Sequence, residues 1–193
     1  MITLLKTLAR NLAYRPRGMT MGPQSAVYLP RWIVNPQRID IGKNTQIMRH
    51  CRLEAYGTRN DQRLNGRISI GDDVYIGAYC MLASMNTIKI GDGCVISDNV
   101  YISDAAHGLN PDAGLIFQQP LESKGGIDIG KSCFIGLGSS ILPGVSLGSH
   151  CVVGTRAVVT KSFPAYSMIV GNPARLVKRY DLGRREWVAS SER

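Results

Sequence analysis

A chain of 193 residues with 44% hydrophobic side chains can bury a sizeable core, and one domain is the default expectation. Its 23 Lys and Arg against 14 Asp and Glu give a formal charge of +9, which favours an anionic partner: a phosphorylated cofactor, a membrane surface or nucleic acid. No aromatic-interleaved basic patch or nucleic-acid motif accompanies that charge, so nucleic acid is not expected, and an odd 5 cysteines without a CxxC spacing fit a reducing compartment.

The opening residues MITLLKTLARNLAYRPRG are interrupted by Lys6 and Arg10, too early for a signal peptide or a membrane span. Leu4, Leu5, Leu8 and Leu12 instead mark one face of a short amphipathic helix. Such a helix packs on its own protein or a neighbouring subunit, or lies on a membrane surface. Residues 1–38 are therefore read as helix and lead-in, and a cytoplasmic location, with peripheral membrane association allowed, is the expectation.

From Ile39 a period of six sets in. The units IGKNTQ, IMRHCR and LEAYGT are followed by IGDDVY, IGAYCM and LASMNT, then by IGDGCV, ISDNVY and ISDAAH; after an interruption come IGKSCF, IGLGSS, ILPGVS, LGSHCV, VGTRAV and VTKSFP. These fifteen units form five triplets. A six-residue unit supplies a short strand and a turn, and three units return the chain about 4.8 Å above its start. First-position Ile, Leu and Val then form ladders inside a triangular prism over residues 39–164. Cys51, Cys80, Cys94, Cys133 and Cys151 all fall at the fifth position, where other units use Thr, Val, Ser or Ala, and so read as core fillers. The polar stretch RNDQRLNGR, 59–67, reads as a surface excursion, and 165–193 as a C-terminal segment packing on the prism.

The rhythm breaks once more sharply, at His107. Gly108 and the run LNPDAGLIFQQPLESKGG follow, and the period resumes at Ile127. A flap of about twenty residues, 107–126, containing Asn110, Asp112 and Phe117, leaves the scaffold there. Gly108 suggests an unusual backbone path beside the histidine. His50 and His150 occupy fourth positions of ordinary units and read as exposed turn residues. Three histidines so dispersed do not make a zinc site.

The repeat resembles the hexapeptide-repeat acyltransferases over about residues 39–180. Its most specific parts are the His107 loop, PLESKGGIDIG leading into IGLGSSILPGVSLG, and the ending VVTKSFPAYSMIVGNPARLVKRY. That ending is similar to maltose, galactoside and surface-polysaccharide O-acetyltransferases, most of all to those that acetylate lipopolysaccharide or exopolysaccharide sugars. The resemblance implies an all-β left-handed parallel β-helix, a handedness the period itself does not reveal, working as a homotrimer with active sites between subunits. It implies acetyl-CoA as co-substrate, no metal, and a free or lipid-linked saccharide acceptor. His107 would be the general base, taking a hydroxyl proton during direct transfer. Main-chain contacts at Leu137 and Thr155, the pair Thr160 and Lys161, and the basic Arg175 and Lys178 would hold the cofactor, whose phosphates suit cationic side chains. Backbone N–H groups near Leu137 and Gly138 are candidate oxyanion donors. Gly171-Asn172-Pro173 would turn the chain off the prism.

On the acceptor side the match thins. Ser84, Met85 and Asn86 stand where related sugar transferases carry polar and acidic residues, and Asp104 is a further candidate, for the acceptor or for orienting His107. Two other readings stay open: an N-acyltransferase acting on an amino-sugar nucleotide, and a non-catalytic β-helix scaffold. Serine acetyltransferase is disfavoured because its long helical N-terminal domain has no counterpart.

Overall fold

In the computed structural model, which describes residues 18–190, the six-residue units wind into a prism whose strands stack in parallel on three faces. The expected helix at Leu4 to Leu12 lies outside the described residues. The first face carries Thr20–Met21, Ile39–Ile41, Arg67–Ile70, Thr87–Ile90, Ile127–Ile129 and Ser146–Leu147 in that order. On the second stand Ala26–Val27, Gln46–Ile47, Tyr75–Ile76, Val95–Ile96, Phe134–Ile135, Val152–Val153 and Ser167–Val170. The third holds Trp32–Val34, Arg52–Ala55, Met81–Ser84, Tyr101–Ser103, Ser140–Ile141 and Val158–Val159.

The first position of each unit builds the core. Ile47, Ile76, Ile96, Ile135, Val153 and Ile169 are in register across the second face and all fully buried. Leu53, Leu82, Ile102, Ile141 and Val159 do the same on the third. Each such side chain contributes about 1.5–3 kcal/mol of burial. The fifth position has a second task. Thiols of Cys51, Cys80, Cys94, Cys133 and Cys151 each donate to a carbonyl of the adjoining coil at 3.1–3.2 Å, as the Thr45 hydroxyl does to Gly71 at 2.8 Å. A small side chain with a donor therefore both fills the corner and ties coils together.

Turns explain the fourth position. Asn44, His50, Asp73, Tyr79, Asn99, Ser132, His150 and Arg156 all adopt left-handed backbone with φ of 51–63°, a conformation that favours Asn, Asp and Gly. The aromatic exceptions stack: His50 on Tyr79 with ring centroids 5.1 Å apart, His150 on Tyr166 at 5.0 Å.

The prism is longer than residues 39–164. Thr20, Ala26 and Ile33 pair in parallel with Asp40, Gln46 and Leu53, so a coil precedes Ile39. Only MGPQSA keeps the period there, which hides that coil in the sequence. At the other end Ser167–Val170 still adds in parallel to Val152–Val153 before the chain reverses at Gly171-Asn172-Pro173. Arg175–Asp181 and Glu186–Ala189 return antiparallel, and Ala174 and Leu176 are buried in the core cluster.

Candidate functional site

Three edges join the faces, and they are not alike. Along the first edge (first to second face) and the second (second to third), the described units are short turns. Both large departures leave the third edge, where the third face returns to the first. One is the 57–66 hairpin, with strands Thr58–Arg59 and Gln62–Arg63 joined through left-handed Asn60 and Asp61, the backbone of a tight two-residue turn. The other is the flap, in which Ala106–His107 runs antiparallel to Leu121–Glu122. His107 thus lies on a strand of the flap, and its side chain is exposed. Gly108 has no positive φ; a Cβ there would lie 2.9 Å from the Pro120 carbonyl oxygen. Close approach of the two flap strands requires the glycine, which corrects the expectation of a special backbone path.

The flap is internally tied. Gln119, 4% exposed, accepts from the Asn110 N–H and donates to the carbonyls of Asn110 and Gly114 at 2.9 and 3.1 Å. Its outer surface is apolar, with Leu109, Leu115, Ile116 and Phe117 all more than half exposed. Asp112 is exposed nearby.

Beside the flap strands runs a groove of about 290 Å³, lined by Ala106, Glu122, Ser123, Lys124, Leu142, Pro143 and Thr160. Further along the same end of the prism, a cleft of about 190 Å³ is bounded by Lys161, Phe163, Arg175, Leu176 and Arg179. The Lys161 ammonium lies 5.5 Å from the centre of the Phe163 ring. His107's strand, Thr160 and Lys161 therefore share the third edge, and Arg175 joins them at the cleft.

Other expected site residues fall elsewhere. Leu137 and Thr155 sit one above the other on the second edge, in the turns after Ile135 and Val153, and are exposed. One chain does not bring them to His107. The Gly138 N–H donates to the Asp98 carbonyl at 3.0 Å, so it is not available to an oxyanion. Lys178 is exposed and outside the cleft lining, whereas Arg179, which the sequence did not single out, lines it. A register shift opposite Met168/Ile169 leaves Val177 out of the ladder and changes which basic side chain turns inward.

The acceptor-side expectation needs a larger correction. Asp104 is fully buried, and its carboxylate accepts from the Ser84 hydroxyl at 3.1 Å and from the N–H groups of Met85, Asn86 and Thr87 at 2.6, 3.1 and 2.7 Å. Burial pushes the Asp104 carboxyl above its ordinary value, and these donors pull against it. Asp104 and the equally buried Ser84 fasten the Ser84–Thr87 turn rather than face an acceptor or His107; Asn86, half-buried, remains at the surface.

The three histidines stand on three different edges, and among the described residues no cluster of His, Cys, Asp or Glu could hold a metal ion.

Residues 67–104 and 126–161 match the family model described as the hexapeptide repeat of succinyl-transferase. The chain is 30% identical over 173 residues to a protein of Escherichia coli K12 named as a lipopolysaccharide biosynthesis O-acetyl transferase, WbbJ, covering 83% of this chain and 82% of that one. It is 35% identical over 136 residues to a Mycobacterium tuberculosis H37Rv protein named as an acetyltransferase, Rv3034c, but spans only 44% of its length. Among solved structures it superposes on the Bacillus cereus N-acyltransferase AntD, bound to dTDP and 3-hydroxybutyryl-CoA, with a TM-score of 0.72 at 23% identity over 90% of each chain. A maltose O-acetyltransferase of Clostridium difficile 630 gives 0.59 at 24% identity, covering 89% of this chain and 75% of that one. With its prism of six-residue coils, the flap on one edge and near-full-length likeness to WbbJ, the chain belongs to the hexapeptide-repeat acyltransferases, enzymes of the left-handed parallel β-helix fold.

Proposed function

We propose that this chain transfers the acetyl group of acetyl-CoA to a sugar hydroxyl during lipopolysaccharide or exopolysaccharide biosynthesis, with His107 as general base. The observation that carries the reading is the order of features along the third edge: an exposed histidine on the flap, an apolar groove beside its strand, and a basic cleft beyond. Leu142 and Pro143 suit a thin aliphatic arm, and Lys161, Arg175 and Arg179 suit phosphates. A sugar hydroxyl is a weak nucleophile at neutral pH, so an imidazole takes its proton as oxygen attacks the thioester carbon; the C–O bond forms, the C–S bond breaks, and the proton passes to the leaving thiolate.

The same reading makes the chain a homotrimer with sites between subunits. Tyr75, Val95 and Phe134 form a ladder on the second face, each at least 40% exposed, whereas the corresponding column of the first face is Asp40, Ser69, Lys89 and Asp128. An apolar column of that kind supports self-association, and a neighbour's second edge would supply Leu137 and Thr155.

Amide formation on an amino-sugar nucleotide is the competing reading, since AntD shares the fold. Acetyl-CoA consumption measured against methyl glycosides and amino-sugar nucleotides separates the two. An alkali-labile ester supports O-transfer, and an alkali-stable amide overturns it.

A further inference from the structure

We infer that Gln62, on the hairpin 57–66, is a positioning residue for His107; the inference rests on His107 being the base proposed above. In the antiparallel pair His107 stands opposite Leu121, while the Gly108 N–H donates to the Pro120 carbonyl one step further along. Such ladders alternate between pairs that bond each other and pairs whose N–H and C=O groups point outward. Leu121 belongs to the second kind, so its peptide groups need another partner. Gln62 supplies both: its Oε1 accepts from the Leu121 N–H at 2.8 Å, and its Nε2 donates to the Leu121 carbonyl at 3.0 Å.

One primary amide thus acts as a third strand on the outer side of the histidine-bearing pair. Few side chains can do this. It requires a donor and an acceptor side by side on one planar group, which the Asn and Gln amides carry at every pH.

The hairpin is itself anchored. Asn60 Nδ2 donates to the Phe117 carbonyl at 3.0 Å, and Leu64 is buried with Met85 and Leu121 in a small apolar cluster separate from the prism core. Met85 belongs to the turn that Asp104 fastens through its N–H. The hairpin therefore links the preceding coil to the strand opposite His107, and an otherwise two-stranded ribbon, marginal alone in water, is braced on its outer side. A displacement of the base by about 1 Å can cost about a hundredfold in rate, which gives this brace catalytic weight although Gln62 touches no reacting atom.

Three variants test the assignment: Gln62→Met, of similar length with neither hydrogen bond; Gln62→Glu, which keeps the acceptor and loses the donor at neutral pH; and His107→Ala. Two readouts are taken, amide hydrogen exchange at Leu121 and steady-state transfer from acetyl-CoA to methyl glucoside, galactoside and mannoside as probe acceptors. Gln62→Met is expected to speed Leu121 exchange at least about tenfold and to lower kcat about ten- to hundredfold with the acetyl-CoA KM unchanged. Gln62→Glu should fall between it and wild type in kcat; since protonation of His107 slows both enzymes as pH is lowered, the quantity read is the ratio of variant to wild-type kcat at each pH, which should rise toward one as the carboxyl regains a donor. Should Gln62→Met fail to fold, the pH dependence of the Gln62→Glu to wild-type kcat ratio carries the test alone, and a ratio that does not change with pH overturns the assignment. Unchanged Leu121 exchange, or wild-type kcat in a background where His107→Ala is inactive, overturns the positioning role while leaving the base in place. Wild-type turnover in His107→Ala overturns the underlying reading instead.

Discussion

Asp104→Asn separates a structural carboxylate from an acceptor ligand. The carboxylate meets four donors: Oδ1 accepts from the Met85 N–H, and Oδ2 from the Ser84 hydroxyl and the N–H groups of Asn86 and Thr87. Asparagine has one oxygen. Placed at the Oδ2 position it retains three of these bonds and turns its NH₂ toward the Met85 N–H, donor against donor at a site where the wild-type contact is 2.6 Å. Two buried donors are then unsatisfied, at about 1–3 kcal/mol each, so the variant should lose about 2–6 kcal/mol. For a chain of this size that lowers the melting temperature by roughly 4–24 °C. Urea unfolding and thermal melting at fixed protein concentration, with the KM values for acceptor and acetyl-CoA measured alongside, form the assay. Both KM values should stay within about twofold, since Asp104 is fully buried and lines neither the groove nor the cleft. Wild-type stability combined with a large rise in acceptor KM would refute this account of the Ser84–Thr87 turn.

Gly66→Ala places a Cβ 2.1 Å from the Ser84 carbonyl oxygen and 2.6 Å from the Tyr56 nitrogen. Backbone on both sides cannot yield easily, and a loss of roughly 2–3 kcal/mol is expected in urea unfolding. Ile96→Ala removes a fully buried rung of the second-face ladder and should cost about 2–5 kcal/mol by the same measurement, with the upper end expected because the coils above and below are held in register. Arg175→Ala, in the basic cleft, should raise the acetyl-CoA KM about tenfold in steady-state assays. That increase should shrink as salt is added, because screening weakens the wild-type interaction.

Much of the scaffold was legible because its period is physical. An aliphatic residue every sixth place is what a prism with three short-stranded faces must bury, and the five cysteines fall where a small thiol reaches the next coil. The coil before Ile39 escaped notice because VYLPRW and IVNPQR lack the glycine and small residue that mark other units. The hairpin escaped for another reason. RNDQR reads as a solvated excursion, and nothing in its composition announces that Asn60 and Gln62 bind backbone carbonyls and an N–H of the flap; only the lone Leu64 hinted at a docked surface. At Asp104 residue type alone does not reveal the surroundings. A carboxylate three places before a histidine suggests chemistry, yet the preceding coil curls three N–H groups and a hydroxyl around it. Lys178 was displaced from the cleft by a one-residue bulge, which alternation along a strand does not foresee.

The central claim concerns His107, and it is tested most directly by measuring transfer from acetyl-CoA in His107→Ala alongside acetyl-CoA binding to the same protein. A lost general base predicts a kcat lower by about two to four orders of magnitude with binding unchanged, because the groove and cleft residues are all still in place. Turnover within about twofold of wild type would contradict the account.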